Sequence, residues 1–347
     1  MRPRSLRFII CTFIFWIFPF VFPFFPKDHI VKRANLYWSM PDWAGTFPQL
    51  AEEMFNREGP IDILFIGGSF VGSGIEVPAF KEDIEKELGR KVNVISFAHV
   101  ESGYDLDLIV LQDLLAQRPI RLVVWEHHIE HINKFWFGLR PFWDLNRQWP
   151  FIKNFPLSLL AKIYVENVLN VPGSLYLSLT NRKAKFDQLA MPGHSRDVFA
   201  ANIYAVQPPL RELGTPVRVD EMLFDEQHQN PRFKFLDSYT PYEMNFINAI
   251  LSLLKQHGTS LVLLHVPSLE EGAGDIPMPR AAPDDEIVQI PKLGMSVDML
   301  LPELDDETRR LCFRNPEHTH ILKYGSIRFS RALVPAIAAL YEQAKMS

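Results

Sequence analysis

The sequence has few cysteines, no excess of positive charge and a low mean hydropathy, and each shortage excludes a class of protein. Two cysteines among 347 residues cannot build a disulfide framework or a cysteine metal site. Lys and Arg number 36 against 41 Asp and Glu, a net charge of −5, which argues against nucleic acid as a partner. A mean hydropathy of −0.02 excludes a polytopic membrane protein, and a hydrophobic content of 47% excludes wholesale disorder.

Residues 8–26 are the apolar exception, because 15 of these 19 residues are apolar and none is charged. That length suffices to cross a hydrocarbon core of about 30 Å. The sequence FPFFPKDH that ends the run contains no small-residue cleavage site, so an uncleaved anchor is favoured over a signal peptide. A re-entrant or interfacial segment is the remaining alternative.

Charge divides the chain into a basic N-terminus and an acidic body. The apolar run is flanked by six basic residues, Arg2, Arg4, Arg7, Lys27, Lys32 and Arg33. Removing residues 1–33 takes away these charges and Asp28, leaving 30 basic against 40 acidic residues, a charge of −10. The short basic tail favours a cytoplasmic N-terminus, so residues 1–33 are predicted to be a cytoplasmic tail and transmembrane anchor, with the body outside the cytoplasm.

The body alternates between strand and helix patterns. Residues 34–60 are predicted to be a connector with a short helix at 47–56. Apolar runs predict strands at 61–66, 92–97, 121–125 and 260–266. The 3.6-residue spacing of apolar residues predicts a helix at 78–89, and further helices are predicted at 104–117, 241–258 and 326–344. This order predicts an α/β domain over residues 61–347 with a parallel sheet and right-handed crossovers. Residues 133–240, rich in Trp, Phe, Pro and Asn, are predicted to be a long insertion with one helix at 157–169, and residues 267–296 a loop.

A glycine turn follows the first predicted strand and ends in a serine, Gly67-Gly68-Ser69. At the carboxyl end of a strand such a turn can expose the hydroxyl as a nucleophile, with backbone N–H groups as oxyanion donors. A helix-capping serine in a tight turn is the alternative. A phosphate loop fits less well, because GGSFVGSG lacks the Lys-Ser/Thr ending of a P-loop and the GxGxxG spacing of a dinucleotide site.

A second candidate is the segment NPEHTHILKYG at 315–325, just before the last predicted helix. Glu317 and His320 are three residues apart, which allows a carboxylate to orient an imidazole as a general base. Ordinary loop histidines are an alternative for His318 and His320. A metal pair is a further alternative, but it lacks a clear third ligand.

Together these segments resemble the SGNH/GDSL hydrolase superfamily. ILFIGGSFVGSGI is similar to the family's first block, and EHTHILKYG to its Asp-x-x-His-Leu-Asn-x-x-Gly block. The resemblance implies a three-layer, flavodoxin-like sandwich in which Ser69 is the nucleophile, His320 the base and Glu317 the residue in the usual Asp place. It implies no metal and no cofactor. Gly103, in SFAHVESGYD, matches the glycine of the second block, whose N–H joins that of Ser69 in the oxyanion hole.

The family's third block, usually Gly-x-Asn after the third strand, is WEHHIEH here. Glu126, His127 or His128 can occupy that place, and His128 is the candidate oxyanion donor. The layout is most similar to membrane-anchored SGNH-like proteins of bacterial envelope polysaccharide O-acylation. This implies an inner-membrane, single-pass protein with a periplasmic catalytic domain. Its activity would be that of an O-acyl (acetyl) transferase or esterase acting on a polysaccharide or glycolipid, with a membrane-bound O-acyltransferase as acyl donor. A non-catalytic scaffold with the same fold is the alternative.

Aromatic residues are concentrated between positions 135 and 151, with basic residues interleaved. A small separate core is one interpretation of this cluster. Sugar stacking or an interfacial belt is the other, because Trp combines an apolar face with a polar edge. Trp136, Trp143 and Arg140 are therefore candidate substrate-binding residues.

Overall fold

The structure is a computed structural model of the full chain. It describes residues 6–21, 32–40, 45–99, 103–126, 142–169, 239–268, 286–295, 297–301, 303–304, 309, 312–313 and 320–346. The strands are β1 (Ile61–Gly67), β2 (Val94–Ala98), β3 (Ile120–Glu126), β4 (Ser260–Leu264) and β5 (Lys292–Leu293). The helices are α1 (Leu6–Val21), α2 (Arg33–Ser39), α3 (Phe47–Phe55), α4 (Ser69–Gly74), α5 (Val77–Leu88), α6 (Tyr104–Gln117), α7 (Leu145–Ile152), α8 (Leu157–Leu169), α9 (Pro241–Gln256), α10 (Val297–Leu300) and α11 (Lys323–Met346).

The five strands form one sheet in the order β2-β1-β3-β4-β5, and the sheet is parallel, as the strand-helix alternation predicted. Successive side chains of a strand point to opposite faces, and β1 is apolar on both. Leu64 and Ile66 enter a core with α2, α3, α6, α7, α8 and α9. Ile63 and Phe65 enter a second core with α4, α5, α10 and α11. Helices therefore cover both faces of the sheet, which is consistent with a three-layer sandwich.

Local signals account for most boundaries. Helix α6 has the predicted bounds, and α5 ends at Gly89, whose φ of +64° is a left-handed conformation that glycine adopts without strain. Helix α9 begins with a capping box, in which Thr240 and Glu243 each bond the other's backbone N–H. The predicted loop at 267–296 was wrong at its end, because β5 adds a two-residue strand there.

The N-terminal apolar run forms α1, a helix of 16 residues. In the described part of the chain no helix combines the length and apolar content needed to span a membrane. The predicted transmembrane helix is therefore unsupported, because α1 ends at Val21, and residues 22–26 of the predicted span lie outside the described residues.

The predicted connector is part of the core. Arg33, which the sequence placed among the charges flanking the apolar run, has its guanidinium Nε 2.7 Å from the buried Asp113 carboxylate of α6. Tyr37 donates to the same oxygen at 2.7 Å, and Arg147 lies 2.8 Å from the other. Burial, followed by the charge of Asp113, raises the pKa of Tyr37 well above its ordinary value, so the phenol remains a neutral donor. Helix α2 is thereby fastened to α6 and α7.

Replacing Asp113 by Ala should destabilise the fold strongly. The change leaves two guanidinium groups close together without their shared acceptor, and breaking such a buried pair costs about 3–5 kcal/mol of unfolding free energy. Urea denaturation of the full chain, followed by circular dichroism, measures the effect. Glu82→Ala is the control, because Glu82 contacts Lys86 on an exposed helix surface. Equal shifts of the urea midpoint in the two variants would contradict this account of α2 docking.

Candidate active site

Ser69 lies at the junction of β1 and α4, at the carboxyl edge of the parallel sheet. Strand β1 ends at Gly67, Gly68 is the N-cap of α4 with extended backbone, and Ser69 is the first helical residue. The first N–H groups of a helix have no intrahelical acceptor. The turn therefore combines a hydroxyl with backbone N–H groups at the edge where open α/β sheets bind ligands.

Both neighbouring strands contact this turn. The His99 N–H, just after β2, donates to the Gly67 carbonyl at 3.0 Å. Glu126, the last residue of β3, accepts the Gly68 N–H on its Oε2 at 2.5 Å. Of the three residues that could replace the third block of the family, Glu126 thus reaches the turn, whereas His127 and His128 lie outside the described residues. Its position directly after the strand predicted at 121–125 was the sequence signal that placed Glu126 near this turn.

His320 is held by short-range backbone pairing next to the start of α11. Phe313 and Ile321 form an isolated antiparallel bridge, and the Leu322 N–H donates to the Cys312 carbonyl at 2.7 Å. Gly325 is required by packing, because a Cβ there would lie 2.5 Å from Ile321 Cγ2. Packing therefore explains why glycine occupies the position five residues after His320.

The Ser69 and His320 side chains meet although 251 residues separate them in the chain. His320 Nε2 lies 2.8 Å from Ser69 Oγ, which is hydrogen-bonding distance. The Phe70 ring stacks on the imidazole, with ring centroids 4.9 Å apart and planes 9° apart. In the tautomer with Nε2 unprotonated, Ser69 donates to His320, which is the ground-state arrangement of a nucleophile and its general base.

Cys312 is close in the chain to His320 but is not a competing nucleophile. Its side chain is buried, and burial raises the pKa of its thiol to about 11. Since the thiolate is the reactive form, the thiol stays protonated at neutral pH. It forms no disulfide with the exposed Cys11, as the sequence predicted.

Gly103 is the N-cap residue of α6, and it precedes a buried polar network. Asp107 on α6 accepts from Trp125 Nε1 at 2.8 Å and lies 2.7 Å from His99 Nε2. These three side chains are buried and join the end of β2, the end of β3 and the first turn of α6. The network therefore ties the Gly103 cap to the two strands beside β1.

The substrate-binding prediction for Trp143 was wrong. Its side chain is fully buried among core residues and lies beside Phe246 of α9, with ring centroids 6.5 Å apart, so no face is open to a sugar. The separate-core interpretation was wrong for this residue as well, because it belongs to the core on the α6 face of the sheet. Trp136, Arg140 and Glu317 lie outside the described residues. Among the described residues no cluster of His, Cys, Asp and Glu could hold a metal ion.

Comparison of the chain with models of protein families, with curated proteins and with solved structures found no match in any of the three.

The Cys312 thiol should resist modification in the folded protein. Because it is buried and protonated, we expect a Cys11→Ser variant to react with a thiol reagent at pH 8 only after unfolding, at least about 100-fold more slowly than in denaturant. Counting modified thiols against time in native buffer and in urea measures this. Rapid modification in native buffer would show that the segment next to His320 opens readily.

Phe70→Leu should slow the reaction of Ser69 with a fluorophosphonate. Loss of the stacked ring lets the imidazole rotate away from Ser69, and small displacements of a catalytic group are costly, so we expect about a ten-fold lower labelling rate. Phe80→Leu is the matched control, because Phe80 packs in the same core against Phe65. It should lower the thermal midpoint and leave the labelling rate within about two-fold. Equal rates in both variants would refute the role of Phe70.

Proposed function

We propose that this protein is a serine-dependent O-acyl transferase or esterase that works through an acyl-serine intermediate. The observation that carries the proposal is the 2.8 Å separation of His320 Nε2 and Ser69 Oγ at the carboxyl edge of a parallel sheet. A serine hydroxyl is a weak nucleophile unless a base removes its proton, and this contact supplies the base.

In the proposed reaction His320 takes the Ser69 proton while Oγ attacks the carbonyl carbon of an acyl ester. The N–H groups of Ser69 and Gly103 hold the oxyanion of the tetrahedral intermediate. The intermediate then collapses, the protonated imidazole returns its proton to the leaving alcohol, and an acyl-serine remains. A sugar hydroxyl or water, deprotonated by His320, then attacks the acyl-serine. The bond between the acyl carbon and Oγ breaks, the imidazolium returns its proton to Oγ, and the acylated sugar or free acid leaves.

Two groups orient the imidazole in this proposal. Phe70 fixes the plane of the ring by stacking. Glu317, which matches the place of the acid in the SGNH/GDSL hydrolase superfamily, is proposed to accept a hydrogen bond from Nδ1–H and to stabilise the imidazolium that forms when Ser69 is deprotonated. No cofactor or metal takes part in these steps.

The proposed substrate is an acyl, in particular acetyl, ester that is transferred to or removed from a cell-envelope polysaccharide or glycolipid. A membrane-bound O-acyltransferase is the proposed donor, and the periplasmic side of the bacterial inner membrane is the proposed location. The exposed apolar side chains of α1 support attachment to a membrane through residues 8–26. They are Ile10, Phe13, Ile14, Trp16, Ile17, Phe18 and Val21.

A non-catalytic scaffold with the same fold is a second candidate, and one observation favours it. The SGNH/GDSL resemblance places an amide donor after the third strand, whereas Glu126 at this position uses its carboxylate as an acceptor for Gly68. A scaffold needs no third oxyanion donor. The two candidates therefore differ in whether the Ser69 hydroxyl reacts.

Ser69→Ala should abolish fluorophosphonate labelling of the purified full-length protein and change the acyl-ester content of envelope glycans in cells. The change removes the oxygen that forms the acyl bond, whereas the fold keeps its packing. Ser73→Ala is the matched control on the same short helix, because in the described part of the chain the Ser73 hydroxyl makes a local bond, to the Phe70 carbonyl at 3.2 Å. We expect Ser73→Ala to be labelled at about the wild-type rate.

Two results together would argue against an enzyme. Unchanged acyl-ester content in Ser69→Ala cells, with no labelling of the wild-type protein, would favour the scaffold. If the serine does react, an acyl-ester donor, a glycan acceptor and mass measurement of the product separate the two activities. An acylated glycan identifies a transferase, whereas free acid without acylated glycan identifies an esterase.

A further inference from the structure

The buried carboxylate of Glu126 packs directly against the turn that carries Ser69. The side chain of Glu126 is 3% exposed, and β1 pairs with β3 immediately before it, with Ile66 opposite Trp125. A Cβ at Gly67 would lie 2.2 Å from Glu126 Oε2 and 2.3 Å from Glu126 Cβ. The turn therefore needs glycine at Gly67 because the Glu126 side chain occupies that space.

Glu126 accepts a backbone N–H that lies beyond the end of the β1–β3 ladder. The last ladder pair between β1 and β3 joins Ile66 to Trp125, so the Gly68 N–H lies beyond it. A buried N–H without an acceptor costs free energy, and the Glu126 carboxylate provides the acceptor at 2.5 Å. On the other side of the turn the His99 N–H donates a hydrogen bond to the Gly67 carbonyl. Two strands thus fix consecutive backbone groups directly before Ser69.

We propose that Glu126 is a positioning residue for Ser69, acting through the Gly68 N–H. By holding this N–H it sets the angle at which the chain enters α4, and so keeps Ser69 Oγ within reach of His320 Nε2. The Oε2 atom of Glu126 accepts the Gly68 N–H, so this oxygen acts on the turn and not on the substrate oxyanion. This inference rests on the proposed function, because it assigns Glu126 a role in the reactivity of Ser69.

This role requires an oxygen at position 126 that accepts the Gly68 N–H, and it does not require a negative charge. Glu126→Gln retains a carbonyl oxygen of the same reach, whereas Glu126→Ala removes the acceptor and leaves the Gly68 N–H buried. We expect the glutamine variant to react with a fluorophosphonate within about three-fold of the wild-type maximal rate. The alanine variant should fall by about ten- to one-hundred-fold, since a displacement of about 1 Å at a reacting group has an effect of this size.

The readouts separate positioning from loss of stability. The maximal labelling rate and the concentration at half-maximal rate are measured for the full-length protein, and the rate alone should fall in Glu126→Ala. Thr259→Ala is the control, because its hydroxyl makes a buried bond to the Ile120 carbonyl, 2.8 Å long, at the opposite edge of the sheet. It should lower the thermal midpoint without changing the labelling rate. Hydrogen exchange of the Gly68 amide should accelerate in Glu126→Ala and remain slow in the other two variants.

Each alternative outcome overturns the inference. Labelling of Glu126→Ala at the wild-type rate shows that the turn needs no acceptor. Equal losses in the glutamine and alanine variants show that the charge or a proton of the carboxyl group is used instead. Unchanged exchange at Gly68 shows that Glu126 does not hold its N–H. If the wild-type protein is not labelled, the proposed function fails, and the exchange data alone decide whether Glu126 fixes the turn.

Discussion

The position of β1 between two parallel neighbours is the constraint on which the candidate site depends. Because β2, β1 and β3 run in the same direction, their carboxyl ends meet at one edge of the sheet. There the Gly67 carbonyl is held from the β2 side and the Gly68 N–H from the β3 side. The Ser69 turn cannot shift without breaking contacts on both sides. A buried strand with little freedom of register thus fixes the position of the Ser69 hydroxyl.

The partner of Ser69 depends on the packing of α11. At the N-terminal end of this helix, the bridge between Phe313 and Ile321 sets the position of His320. Near its C-terminal end, Tyr341 contacts the Asp62 side chain, and the Arg90 and Arg121 guanidinium groups lie 5.0 and 4.9 Å from its ring centroid. Asp62 belongs to β1, the strand that ends at the Ser69 turn. Ser69 and His320 are therefore both positioned relative to the same strand.

Sequence reasoning predicted the parts of the fold that local pattern controls. A run rich in Leu and Ile predicted helix α6, and a family resemblance in two short segments predicted that Ser69 and His320 meet. Contacts between distant segments could not be predicted in this way. Nothing near Arg33 in the chain indicates that its partner is Asp113, 80 residues away. An aromatic run likewise does not reveal which ring faces the core, and Trp143 proved to be buried. Helix α4 and strand β5 are too short for a periodic pattern.

The contrast between Glu126 and the amide donor expected at this place bears on the choice between enzyme and scaffold. A scaffold places no requirement on the distance between a serine hydroxyl and an imidazole, whereas general base catalysis requires hydrogen-bonding contact. The chain has that contact, with the imidazole stacked on Phe70. If Glu126 stabilises the turn, the amide donor is replaced by a group with a different task. In the proposed enzyme the oxyanion hole would then consist of backbone N–H groups, and its strength would depend on how rigidly the Ser69 turn is held.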